Sequence, residues 1–216
     1  MTAVVVPATG LDLPGDLVMP TEAIGVVAFA HGSGSSRHSP RNRLVAGALE
    51  LAGLATLLFD LLTPDEEGDR AHVFDIAMLG ARLSDAVAWL QSSSATRSLP
   101  IGVFGASTGA AAAVLAAAAP GSPVRAVVSR GGRPDLAADA LPAVRAPTLL
   151  IVGGRDEHVL EWNREAAARL TCEHRLEVVP GATHLFEEPG TLEAVAGLAR
   201  DWFLTHLAAA GSGSST

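Results

Sequence analysis

The pentapeptide Gly105-Ala106-Ser107-Thr108-Gly109 has the residue types of a nucleophile elbow, a sharp turn that exposes a serine between a strand and a helix. The apolar residues 101–104 precede it and the alanine-rich stretch 110–119 follows it, as that strand and helix require. The pattern therefore predicts Ser107 as a nucleophile in acyl transfer. The alternative is that Ser107 only caps the helix, a position that serine favours.

A serine hydroxyl is a weak nucleophile without a neighbouring base, and two later segments supply a base and an acid. The apolar run 147–152 leads through a glycine turn to Asp156, and the run 175–179 leads into a loop that contains His184. Serine, aspartate and histidine follow one another here in the chain order of the α/β-hydrolases. We therefore predict Ser107, Asp156 and His184 as a catalytic triad. Three alternatives stay open: Asp156 as a helix cap, Glu157 as the acid, and His184 as a histidine of a surface loop.

Acyl transfer also needs N–H donors, because the carbonyl oxygen of the substrate becomes negatively charged in the tetrahedral intermediate. One donor is usually the amide of the residue after the nucleophile, here Thr108, and the other comes from the loop after an earlier strand. The buried-strand pattern 24–30 ends in His31-Gly32-Ser33-Gly34. We predict the Ser33 and Thr108 amides as the oxyanion hole, and His31 as a residue that shapes its loop.

The elements that must position these residues alternate along the chain, which favours a mainly parallel sheet covered by helices on both faces. We predict one α/β domain over residues 1–210 and a linker-like tail over residues 211–216. Only residues 131–146 separate two of the strands at the catalytic end, so at most a short helix and no lid is expected there. The predicted strands are 13–18, 24–30, 55–59, 101–104, 124–129, 147–152 and 175–179, and the predicted helices are 40–53, 75–91, 107–119, 158–171 and 190–208.

The residues from His31-Gly32-Ser33-Gly34 to Ala182-Thr183-His184 resemble the small, lid-poor α/β-hydrolases of the dienelactone hydrolase-like group. The resemblance covers nearly the whole chain and implies an α/β-hydrolase fold that cleaves esters or lactones without a cofactor or metal. One difference matters: dienelactone hydrolases proper have a cysteine at the elbow, whereas this chain has Ser107. The expected activity is therefore that of a carboxylesterase with an acyl-enzyme intermediate, and the preference for lactones is not carried over.

Composition limits the partners that this chain could have. A hydrophobic content of 49% with 18% charged residues indicates a globular protein of 216 residues. The net charge of −8 disfavours nucleic acid and anionic membranes as partners. The expected partner is a small-molecule ester, and the expected oligomeric state is a monomer or a homodimer. One cysteine, Cys172, and an N-terminus without a signal-peptide pattern favour the cytoplasm.

Two functions from other classes are alternatives to the esterase. A dinucleotide-binding domain would use Gly32, Gly34 and, for the ribose, Asp60, but Arg37 stands where the third glycine belongs. A non-catalytic ligand receptor on a hydrolase fold is the second alternative, because fold alone does not determine function.

Several charged residues near the predicted catalytic end have no assigned role. Arg130 and Arg133 flank Gly131-Gly132; they are predicted either to attract an acidic substrate or to form structural salt bridges. The acidic run Asp65, Glu66, Glu67 and Asp69 is interpreted as a solvated loop in preference to a binding site.

Overall fold

The computed structural model describes residues 1–208, which form one eight-stranded sheet with helices on both faces. The strands are β1 Thr2–Ala8, β2 Leu11–Val18, β3 Gly25–Ala30, β4 Leu54–Phe59, β5 Ile101–Ala106, β6 Val124–Arg130, β7 Thr148–Gly153 and β8 His174–Val179. The sheet order is β1-β2-β4-β3-β5-β6-β7-β8, and all neighbouring pairs from β4 to β8 in this order are parallel. The predicted fold class, an α/β-hydrolase fold with a mainly parallel sheet, is confirmed.

Every residue of β3, β4, β5 and β7 is buried, because helices cover both faces of the sheet. The helices are α1 Pro40–Leu51, α2 Pro64–Glu67, α3 Arg70–Val73, α4 Ile76–Ser92, α5 Gly109–Ala118, α6 Glu157–Arg169 and α7 Thr191–Leu207. The apolar core on one face of the sheet contains side chains of α1 and α7, and the core on the other face contains side chains of α4 and α5.

The carboxyl ends of the parallel strands carry the loops with the predicted site residues, as is general for open α/β sheets. The segment after β6 contains a 3₁₀ helix over Pro134–Ala143, which agrees with the short helix expected there. The tail predicted for residues 211–216 lies outside the described residues, and the single domain over residues 1–210 stays a prediction.

The sequence prediction missed β1. This strand pairs antiparallel with β2 through a turn at Thr9 and Gly10, whose φ angles of 49° and 78° are those of a tight hairpin. Its valine-rich sequence suits a strand, and Pro7 is tolerated because β1 lies at the edge of the sheet.

The interpretation of the acidic run as a solvated loop is wrong for Glu66. Asp65, Glu66 and Glu67 lie in α2, whereas Asp69 is an exposed residue before α3 whose carboxylate accepts a hydrogen bond from the Ala71 amide. Glu66 accepts two hydrogen bonds of 2.7 Å from Arg82, which is only 3% exposed. Long-range pairing with a buried arginine cannot be read from a local charge pattern.

Candidate active site

Ser107 lies on the turn between β5 and α5 with a φ of 50°, a left-handed conformation that is uncommon for a residue with a side chain. The glycines around it allow this turn. A Cβ atom at Gly105 would lie 2.5 Å from the Gly109 carbonyl, and one at Gly109 would overlap the Ala30 carbonyl. The Ser107 amide donates to the Arg130 carbonyl at 3.2 Å, which fixes the turn against the end of β6. Helix α5 begins at Gly109, so the serine stands before the helix and is not part of it.

Asp156 and His184 are joined by a hydrogen bond of 2.6 Å from His184 Nδ1 to Asp156 Oδ2. Asp156 occupies the N-cap position of α6, but its carboxylate makes no capping hydrogen bond and is oriented toward His184 instead. Since a carboxylate only accepts, the proton resides on Nδ1, which leaves Nε2 free to accept another. Glu157, the alternative acid, is exposed in the first turn of α6.

The histidine loop is held by a second carboxylate. The Thr183 amide donates to Glu188 Oε2 at 3.1 Å, and this hydrogen bond lowers the pKa of Glu188. The Arg155 amide donates to the Ala182 carbonyl at 2.9 Å, which connects the same loop to the turn after β7. The two loops that carry His184 and Asp156 are therefore fixed to each other.

His31 is buried at the end of β3, and both of its ring nitrogens are engaged. Nε2 accepts from the Leu61 amide at 2.9 Å, so Nδ1 carries the proton and donates to the Gly32 carbonyl at 3.0 Å. Burial lowers the pKa of His31, which keeps the ring neutral. A ring with no free nitrogen cannot serve as the base, and its contacts instead hold the loop that carries Ser33.

The loop of Ser33 contacts Thr108, but the amides of these two predicted oxyanion donors differ in their hydrogen-bond acceptors. The Ser33 amide donates to Thr108 Oγ1 at 3.0 Å. No acceptor for the Thr108 amide is found within residues 1–208. A substrate oxygen can therefore approach the Thr108 amide directly, whereas at Ser33 it must share the N–H with the Thr108 hydroxyl or displace that hydroxyl.

Ser107 and His184 line one cavity of about 200 Å³. Within residues 1–208 no hydrogen bond joins the Ser107 and His184 side chains. In free enzymes the distance between nucleophile and base is often too long for a hydrogen bond, and it shortens when substrate binds. The other walls come from the loop after β3, the start of α1, the ends of β5 and β6, and the histidine loop: Gly32, Ser33, Ser35, Ser39, Arg41, Ala106, Arg130 and Leu185. The sequence prediction did not include Arg41 or Leu185, because nothing in their local patterns indicates the cavity.

The structure separates the two arginines that the sequence left unassigned. Arg133 donates to Asp135 from Nε at 2.9 Å and from Nη2 at 2.7 Å, and its guanidinium lies 3.8 Å from the centre of the Trp162 ring. Arg133 is therefore a salt-bridged structural arginine. Arg130, in contrast, is buried in the wall of the cavity.

Asp60, the residue that a dinucleotide site would need for a ribose, is already occupied. Its carboxylate accepts the Arg37 amide at 2.7 Å and forms an ion pair with the Arg37 side chain. Arg37 is the residue that replaces the third glycine of the dinucleotide pattern. These contacts fix the loop after β3 to the end of β4.

Residues 1–208 contain no group of three or more His, Cys, Asp or Glu side chains placed to hold a metal ion. Over the same residues, no helix has the length and apolar character needed to cross a membrane.

The profile of the dienelactone hydrolase family matches residues 20–204, which is most of the chain. The chain belongs to the dienelactone hydrolase family. It is 55% identical to a dienelactone hydrolase from Anabaena variabilis, whose crystal structure superposes with a TM-score of 0.93 over 95% of this chain and 97% of that one. The resemblance expected from the sequence is thus confirmed, and the family is one of hydrolases.

This chain is also similar to part of a longer protein. A Mycobacterium tuberculosis protein named "Putative phosphoribosyl transferase" is 63% identical over 206 residues, which are 95% of this chain but 46% of that protein. The chain thus spans about half the length of the curated relatives that it matches. Est1E from Butyrivibrio proteoclasticus shares the fold, with a TM-score of 0.82 at 18% identity over 96% of this chain and all of that one.

Proposed function

We propose that this member of the dienelactone hydrolase family is a serine carboxylesterase that cleaves small carboxylic esters or lactones through an acyl-enzyme intermediate. The observation that carries the proposal is the 2.6 Å hydrogen bond between His184 and Asp156 at a cavity that also contains the strained Ser107. Nucleophile, base and orienting carboxylate are the three parts that acyl transfer to serine needs.

In the first half of the reaction, Ser107 Oγ attacks the ester carbonyl carbon while His184 Nε2 accepts the serine proton. Asp156 holds the ring in the tautomer that exposes Nε2 and stabilises the imidazolium that forms. The carbonyl oxygen becomes negative and is stabilised by the Thr108 and Ser33 amides. His184 then gives the proton to the leaving alcohol as the bond between carbonyl carbon and alcohol oxygen breaks.

In the second half, His184 takes a proton from a water molecule, and the resulting hydroxide adds to the acyl carbon. The bond to Ser107 breaks, His184 returns the proton to the serine, and the carboxylic acid leaves. Every proton and electron pair is accounted for by these groups and water, so the proposal requires no cofactor or metal. Small-molecule substrates, a cytoplasmic location and a monomeric or homodimeric state remain predictions.

The transferase name of the M. tuberculosis protein does not extend to this proposal. It belongs to a chain of which the matched part is 46%, and the residues assembled here fit acyl transfer to water. The dinucleotide alternative lacks support because Asp60 is paired with Arg37. A receptor without catalysis would need no strained serine beside a paired histidine and aspartate.

Turnover of a p-nitrophenyl ester by the Ser107→Ala variant tests the proposal. We expect a loss of about 10³- to 10⁶-fold in kcat, because binding and the oxyanion hole alone give only residual catalysis. The exposed Ser98, at the opposite end of the sheet, supplies the control: Ser98→Ala should keep wild-type turnover. Activity near that of the wild type in folded Ser107→Ala protein would exclude Ser107 as the nucleophile.

A further inference from the structure

Strand β8 lies at one edge of the sheet, and within residues 1–208 no strand pairs with its outer side. Strands of a parallel sheet are normally buried, but His174 and Arg175 of β8 are exposed and Val178 is 41% exposed. The other edge strand, β1, contains Pro7, a residue that protects an edge from further pairing, whereas β8 contains no proline. The outer side of β8 is therefore open to another strand.

Two hydrogen bonds between β8 and the β7 side show which backbone groups of β8 point outward. The Thr148 amide donates to the Glu173 carbonyl, and the Gly154 amide donates to the Val179 carbonyl, each at 2.9 Å. The pairing of β7 with β8 is continuous between these two bonds. Because backbone groups alternate in direction along a strand, the odd-numbered residues face β7. The N–H and C=O groups that face outward are those of the even-numbered residues: His174, Leu176 and Val178.

The charged side chains of β8 have opposite signs and are two residues apart. Arg175 and Glu177 lie on one face of the strand, where Arg175 Nη1 is 3.4 Å from Glu177 Oε1, and the side chains are 62% and 35% exposed. Charged residues on an edge strand can prevent pairing by repulsion. With one residue of each sign, however, a second copy of β8 meets like or opposite charges depending on its register. These charges can therefore select a register.

We propose that the protein forms a homodimer in which β8 pairs antiparallel with β8 of a second copy, with the twofold axis at Leu176. In this register Arg175 lies opposite the partner's Glu177, and by symmetry Glu177 lies opposite the partner's Arg175. A shift of the axis by one residue in either direction would place Arg175 or Glu177 opposite its own copy, so that like charges meet. The dimer does not depend on the proposed esterase function.

The same register also gives partners to the outward backbone groups and to the exposed apolar side chain of β8. Leu176 lies opposite the partner's Leu176, and Val178 lies opposite the partner's His174. Outward-facing residues that lie opposite each other in an antiparallel pair exchange both of their N–H···O bonds. Arg175 and the partner's Glu177 then occupy the positions without hydrogen bonds, where opposite side chains are closest.

Sedimentation velocity over a range of protein concentrations tests the proposed dimer. We expect the wild type to dimerise at micromolar concentrations. Arg175→Glu and Glu177→Arg should each raise the dissociation constant of the homodimer at least about tenfold, because both contacts between opposite charges become repulsive. An equimolar mixture of these two variants should form a heterodimer, because the acidic pair of one variant then faces the basic pair of the other. The double variant, in which the two charges are exchanged, should dimerise like the wild type.

Two further variants separate the edge of β8 from general effects of charge and folding. Arg125→Glu makes the same change of charge at an exposed residue of β6, which has a neighbouring strand on each side, and it should dimerise like the wild type. Val178→Pro removes an outward N–H and no bond to β7, so it should be a folded monomer. Circular dichroism spectra establish that each variant is folded. If Val178→Pro fails to fold, the mixture of the two charge variants decides the question.

A wild type that stays monomeric up to about 100 μM would overturn the proposal. A wild-type dimer of equal affinity in folded Arg175→Glu and Glu177→Arg would also overturn it, because another surface would then hold the two copies together. Single variants that are monomeric both alone and in their mixture would exclude the register centred on Leu176.

Discussion

Arg82 and Arg130 are both buried, at 3% and 7% exposure, but their guanidinium groups have different surroundings. Arg82 donates to both Glu66 oxygens and to the Leu61 carbonyl, each at 2.7 Å, and only its Nε lacks a partner. Arg130 has no such carboxylate within residues 1–208 and faces the cavity. Loss of one partner from a buried ion pair is costly because it leaves the other charge unpaired, whereas the charge of Arg130 has no carboxylate partner among the described residues to lose.

The volume of a cavity alone does not identify the candidate active site. A cavity of about 430 Å³ lies at the amino ends of β5 and β6, among Arg97, Arg125 and His206. It is twice the size of the Ser107 cavity, but both of its arginines are exposed. The chemical state of the lining residues, and not the volume, distinguishes the candidate active site. We therefore expect substitutions that line the Ser107 cavity to reduce activity, and substitutions in the ion pair of Arg82 with Glu66 to reduce stability.

The largest of these effects is expected at the proposed catalytic acid. Asp156→Asn should lower kcat by about 10²- to 10⁴-fold, because His184 loses both its orienting acceptor and the partner of its imidazolium. Glu157→Gln is the matched control, since Glu157 is adjacent but exposed, and it should remain close to the wild type. Steady-state rates with p-nitrophenyl acetate measure both. The opposite ranking would assign the acid to Glu157.

A smaller loss is expected at the oxyanion loop. Ser33→Pro removes the amide that now donates to Thr108 Oγ1, and kcat should fall about 10²- to 10³-fold, the usual cost of one oxyanion donor. Ser33→Ala keeps the amide and should behave like the wild type, so the two variants separate the backbone from the side chain. Equal rates in the two folded variants would exclude the Ser33 amide as a donor.

Acyl chain length should have a weaker influence. Each methylene buried in an apolar site contributes about 0.8 kcal/mol, so kcat/KM should rise from acetyl to butyryl esters. A cavity of about 200 Å³ with Leu185 and Ala106 as its apolar walls has little surface for longer chains, so we expect a decline from octanoyl onward. A series of p-nitrophenyl esters measures this. A constant that keeps rising to dodecanoyl or palmitoyl would show that the active site has another apolar wall.

At the Arg82 pair, the effect should be on stability. Arg82 holds the pKa of Glu66 at about 2, well below 4.5, so the pair stabilises the fold fully above pH 4.5 and the contribution is lost as the pH falls toward 2. Glu66→Gln should therefore lower the free energy of unfolding at pH 7 by about 1–3 kcal/mol. Its difference from the wild type should shrink below pH 4.5. Urea unfolding at several pH values measures both, and a difference independent of pH would contradict this assignment.

The sequence predicted what depends on local pattern. Apolar runs followed by Ser107, Asp156 and His184 placed all three at the carboxyl ends of parallel strands, and their chain order indicated the fold. Their catalytic roles stay predictions until they are measured. Pairing between distant residues was not predictable: the salt bridge of Glu66 with Arg82, and the lack of a carboxylate partner for Arg130 within residues 1–208, depend on packing. The hydrogen bond from the Ser33 amide to Thr108 Oγ1 likewise depends on how two loops meet.

The most direct test of the account is the position of a covalent adduct formed by an alkyl fluorophosphonate. Ser107 Oγ should attack phosphorus, fluoride should leave, and the serine proton should pass to His184. Mass spectrometry of the digested protein should find one adduct, on Ser107, with loss of esterase activity in proportion to labelling and no adduct in Ser107→Ala. An adduct on another residue, or full loss of activity without labelling of Ser107, would contradict the proposed nucleophile and the mechanism built on it.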